Sequence, residues 1–127
     1  HWRHRRSVQE RRRTMANRDD ASLMMQILQW STDAGAMDAS LALMASDFDA
    51  ETATVNDRHV FIMLMLGETI GTFVKQGLLD RDLVYDLWAP GLMWDRVGRA
   101  ALAQREQYGV AALWENFEAL AQGQTAN

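Results

Sequence analysis

Seven consecutive apolar residues, Val60 to Leu66, place the tightest constraint on how this 127-residue chain can fold. At 100° per residue, seven in a row cover every side of a helix, so such an element calls for neighbours all round it. A buried strand can look the same over so short a stretch. The Leu and Met content and the continuation through Ile70, Phe73 and Val74 favour a helix, and Gly77 supplies its stop. Thr54 or Asn56 is placed to cap the start. The expectation is an all-α bundle of four to six helices with a central hydrophobic helix near residues 55–76.

The remaining elements also read as helical. Ser7 and Glu10 have the spacing of a capping box, which predicts a first helix from about Val8. Leu23, Ile27 and Trp30 then recur at amphipathic spacing, either continuing that helix or following a break near Asn17. Beyond the polar stretch Ser31 to Gly35, a weaker pattern of Met37, Leu41, Met44 and Phe48 leads into a loop from Asp47 to Thr54. Asp80 can cap a short helix through Leu83, Val84 and Leu87, interrupted at Ala89-Pro90-Gly91. A helix from about Gly91 to Tyr108 ends at Gly109, and a last one, Val110 to Ala121, aligns Leu113, Phe117 and Leu120. Strand alternation, hairpin dipeptides and internal repeats are absent. The length fits one domain, read as a basic arm over residues 1–18 and a single helical domain over residues 19–127.

Charge divides the chain in the same place. Residues 1–18 carry Arg3, Arg5, Arg6, Arg11, Arg12, Arg13 and Arg18 against Glu10 alone, a net +6; the other 109 residues hold six basic and sixteen acidic groups, a net −10, giving −4 overall. Such an arm suits an anionic membrane surface, nucleic acid, or plain solvation. Its arginines scatter around the helical wheel, without the stripe expected of a helix lying in one groove or one membrane plane, which favours plain solvation; nucleic acid is the least expected of the three. The chain starts at His1. If a hydrophobic helix precedes Trp2, a Trp followed by clustered Arg is the composition that holds a helix end at the cytoplasmic face of a membrane; otherwise a cytoplasmic location is expected.

Candidate chemistry is sparse. With no cysteine, thiolate metal sites and cysteine nucleophiles are excluded. His59 has Ile62 and Met63 where a helical metal partner would stand, and no Glu-x-x-His occurs to build a carboxylate-bridged centre with Glu115 or Glu118. No metal and no cofactor is expected. The eight methionines read first as core filler and second as an adaptable docking face. Two charges fall on apolar stripes: Glu68 aligns with Phe61, Met65 and Thr72, while Arg105 lies about 20° from Trp94 on the wheel. These two are expected to form a buried structural ion pair whose disruption costs about 3–5 kcal/mol.

Leu66-Gly67-Glu68-Thr69-Ile70, Gly77-Leu78-Leu79-Asp80 with Leu83-Val84-Tyr85, Trp88, Trp94, Arg105 with Gly109, and Trp114-Glu115-Asn116-Phe117-Glu118-Ala119-Leu120 together resemble a bacterial family, domain of unknown function 4760. The resemblance spans roughly residues 61–121. It implies a small all-helical domain, often encoded after a hydrophobic segment and a basic linker, and it brings no activity with it. The functional expectation is a non-enzymatic scaffold or accessory subunit, tethered to a membrane through a preceding segment, that binds a protein partner or a second copy of itself. The alternatives are an enzyme or ligand-binding bundle using Glu68 and Arg105, and a protein whose arm binds nucleic acid.

Overall fold

The structure, a computed structural model, describes residues 15–125, and those residues form an all-α bundle with no strand. Its six helices are α1 (Arg18–Ala34), α2 (Ala36–Met44), α3 (Arg58–Lys75), α4 (Arg81–Leu87), α5 (Pro90–Tyr108) and α6 (Glu115–Thr125). Local caps set most of these limits. Asn17 accepts a hydrogen bond from the Asp20 N–H while the Asp20 carboxylate accepts one from the Asn17 N–H, so the capping box that starts α1 is here. The box expected at Ser7 and Glu10 lies outside the described residues.

Helix α1 runs on through the polar stretch expected to follow it, with the Ser31 and Thr32 hydroxyls both donating to the Leu28 carbonyl one turn back. Gly35, at φ 92°, then serves as C-cap of α1 and N-cap of α2, a joint of one residue. The start of α3 also differs from expectation. Asp57 caps it by accepting from the His59 N–H at 2.8 Å, while Thr54 Oγ1 accepts from Asn56 N–H in the preceding turn. Gly77 ends α3 as expected, with φ 74° and the paired bonds from Gly77 N–H to Val74 O and Leu78 N–H to Phe73 O.

Helix α3 is the centre. It contacts α1, α2, α5 and α6, and Val60, Met63, Leu64 and Ile70 are buried within it. Its contact with α6 rests on two glycines one turn apart. A Cβ at Gly67 would lie 2.2 Å from the Phe117 ring, and one at Gly71 would lie 2.3 Å from the Asn116 carbonyl oxygen. Phe117 fills the space so opened, stacked on Trp88 at 5.7 Å and edge-on to Trp94 at 5.1 Å.

Helix α4 is tied to α6 by the Tyr85 hydroxyl, which donates to the Leu120 carbonyl at 2.8 Å. Burial raises the Tyr85 pKa above its ordinary 10.0; nearby Arg81 lowers it and Asp82 raises it, both by less. A phenol with a raised folded-state pKa contributes stability that is complete below the unfolded value and is lost as pH climbs through the folded one. Tyr85→Phe is therefore expected to cost about 1 kcal/mol near neutrality and to flatten the alkaline decline in stability above pH 10. Urea melts across an alkaline pH series check this, and an alkaline limb unchanged by the substitution would assign the decline to other groups.

Candidate functional site

One stripe of α3 carries Phe61, Met65, Glu68 and Thr72, apolar at one end and polar at the other. At the polar end Glu68 Oε1 accepts from the backbone N–H groups of Asn116 and Phe117, at 3.0 and 3.1 Å. The Thr72 hydroxyl donates to Glu68 Oε2 at 3.3 Å, and Asn116 Nδ2 donates to Thr72 Oγ1 at 3.0 Å. The first N–H groups of a helix have no partner within it and sit at the positive end of its dipole. Glu68 satisfies two of them from a different helix.

Arg105 binds the same turn from α5. Its Nε donates to the Leu113 carbonyl at 2.6 Å and its Nη1 to Glu118 Oε1 at 3.0 Å, while Nη2 is buried without a hydrogen-bond partner. The expected ion pair between Glu68 and Arg105 is thus corrected: no such pair forms, and each residue holds the beginning of α6 separately. The wheel turned both side chains toward apolar faces, where they are half-buried and not buried as expected, and it could not show that backbone groups at a helix start would claim them. These anchors also correct the last helix. Residues 110–114 form turns, with Leu113 N–H to Val110 O and Glu115 N–H to Ala112 O, and α6 begins at Glu115. Trp114 sits at φ 61°, held by its Nε1 donating to Gln104 Oε1 at 2.6 Å.

A solvent-open depression of about 240 Å³ touches Met65, Glu68, Thr69, Thr72 and Phe73, and Arg105 does not line it. His59 faces Asp57 at 3.8 Å. Among the described residues, no group of three or more His, Asp and Glu is placed to hold a metal ion, and no helix is long and apolar enough to cross a membrane. Of the seven arm arginines, Arg18 is the first, exposed residue of α1, and Arg3, Arg5, Arg6, Arg11, Arg12 and Arg13 lie outside the described residues.

The apolar end of the stripe departs from expectation in a more useful way. Helix α3 is not covered on every side: Phe61 and Met65 are exposed, as is Trp30 on α1. With Ser31, Ala34, Ala36, Ile62 and Leu66 they line a groove of about 140 Å³ whose exposed surface is wholly apolar. That volume resembles the roughly 150 Å³ cavity that accepts benzene, and it falls short of the ~300 Å³ at which small-molecule sites begin. It accommodates one large apolar side chain.

Helix α2 continues the uncovered surface. Ala39 and Leu43 face the core at 0% exposure, whereas Met37 and Leu41 stand 68% and 70% exposed, with Met44 on the same outward stripe. Across its C-terminal end reaches Arg96 of α5, donating from Nε to the Leu43 carbonyl at 2.7 Å and from Nη2 to that of Phe48 at 3.4 Å, with its guanidinium over the Phe48 ring. Arg96 was missed in the sequence, although on the wheel it lies about 60° from Met93 and about 40° from Ala100, at the edge of a buried face.

A family model described as Domain of unknown function (DUF4760) matches residues 2–124. No curated protein and no solved structure matches the chain.

Proposed function

Since the chain belongs to the DUF4760 family, whose description assigns no activity, we propose a function from the uncovered surface: a non-enzymatic helical scaffold or accessory subunit that binds a protein partner. The carrying observation is that α2 is apolar on two opposite faces while the bundle covers one. A helix of that composition is ordinarily buried all round, and contiguous exposed apolar surface marks interaction sites. The Trp30, Phe61 and Met65 groove beside it offers a socket for one anchoring side chain, the arrangement on which interface hot spots rest.

The arginine-rich arm gives this domain an orientation. Its +6 charge draws it to an anionic membrane surface, while the −10 body is repelled from the same surface and stands away from it. In-cell photo-crosslinking tests the reading, with benzoylphenylalanine at position 30 or 41 and, as control, at exposed Gln107. Discrete crosslinked species from positions 30 and 41 alone are expected. Failure at both, with the protein folded and expressed, counts against the reading.

A further inference from the structure

Building on the proposed partner-binding role, we infer that the partner presents a basic amphipathic helix, which lies along the outward stripe Met37, Leu41 and Met44 of α2. The charge along the chain on either side of that stripe is one-sided. Residues 19–57 contain eight carboxylates, Asp19, Asp20, Asp33, Asp38, Asp47, Asp49, Glu51 and Asp57, and no Lys, Arg or His. Five of them surround the stripe in sequence and are exposed: Asp33 just before α2, Asp38 on its flank, and Asp47, Asp49 and Glu51 just after it. On the wheel Asp38 lies about 60° from Leu41, at the edge of the apolar strip. Arg96, which reaches this helix from α5, is committed to the Leu43 and Phe48 carbonyls.

An apolar strip with acidic margins complements a helix whose apolar face is bordered by Lys or Arg. The methionines add tolerance to the fit, because their unbranched side chains adjust to differing neighbours. The same charges oppose the other occupants. A symmetric dimer through this face would bring both copies' carboxylates together, since a two-fold interface pairs a patch with itself. An anionic lipid surface would be repelled.

The test follows the methionine methyl signals of the full chain in carbon-13 spectra while an amphipathic peptide of Leu and Lys alone is added. The Met37 and Met44 methyls are expected to shift and those of buried Met24 and Met63 to stay. Affinity should weaken severalfold as salt is raised, and about tenfold in Leu41→Gln, whose exposed position leaves the fold intact. A Leu and Glu peptide of the same pattern should leave Met37 and Met44 unmoved. Equal binding of the acidic peptide overturns the inference. So do shifts that track protein concentration without peptide, which put a second copy on the face, and shifts caused by phosphatidylserine vesicles, which put lipid there. Salt-sensitive Met37 and Met44 signals that the peptide cannot displace put the chain's own arm there and overturn it equally. No response to either peptide, combined with crosslinking at position 41, overturns the basic helix and leaves the partner reading standing; loss of both removes the two together.

Discussion

Gly71→Ala is expected to lower the melting temperature by on the order of 10 °C, although alanine is the better helix former. The added methyl would meet the Asn116 carbonyl oxygen at 2.3 Å and its carbon at 2.6 Å. These are backbone atoms at the start of α6, so no rotamer change relieves the contact; the whole helix must retreat from α3. Retreat also stretches the Glu68 bonds to Asn116 and Phe117 and loosens Phe117, which has no exposed surface. Overpacking of this kind costs about 1–3 kcal/mol or more, against roughly 1 kcal/mol gained in helix propensity. Because the obstruction is backbone, the cost falls at the upper end of that range and the net loss is about 2 kcal/mol. Gly77→Ala supplies the comparison: it meets nothing within 4 Å and carries only the strain of φ 74°, about 1–2 kcal/mol. Thermal melts of both variants decide the matter, and a Gly71→Ala protein as stable as its parent would show that α6 does not press on α3.

Glu68→Ala should cost about 2–4 kcal/mol, because it leaves two N–H groups at a partly buried helix start without an acceptor and removes a charge from the positive end of a dipole. Glu68→Gln keeps an acceptor oxygen and loses only the charge, so about 1 kcal/mol is expected. Arg105→Met should fall between them, near 1–3 kcal/mol, since Glu118 is about a quarter exposed and water screens the charge left behind. Denaturant melts of the three variants give the ranking. Equal losses for Glu68→Ala and Glu68→Gln would mean that charge alone matters, and the capping geometry would lose its importance.

What could be read from the sequence was what is decided locally. Gly77, Asp80 and Gly109 act within a few residues of themselves, and each ends or begins a helix where its chemistry predicts. The start of α6 is decided by Glu68, 48 residues away from Asn116, and no window over residues 110–121 contains that information. That Arg105 turns toward an apolar face was visible on a wheel; its half-burial and its partners were not, because a wheel gives a face and no depth. Coverage escaped for a related reason. Periodicity marks Phe61, Met65, Met37 and Leu41 as apolar, but whether another helix lies over them depends on how many helices reach that side.

The amide protons of Asn116 and Phe117 occupy the first turn of a helix, where exchange with solvent is ordinarily fast because fraying suffices to free them. Here both are bonded to a carboxylate on α3, so fraying within α6 does not release them. Their exchange instead requires α6 to lift off α3 as a unit, and it measures the frequency of that opening. Two backbone positions thus serve as a clock for the joint between the central helix and the last one, keeping time separately from the global unfolding of the core.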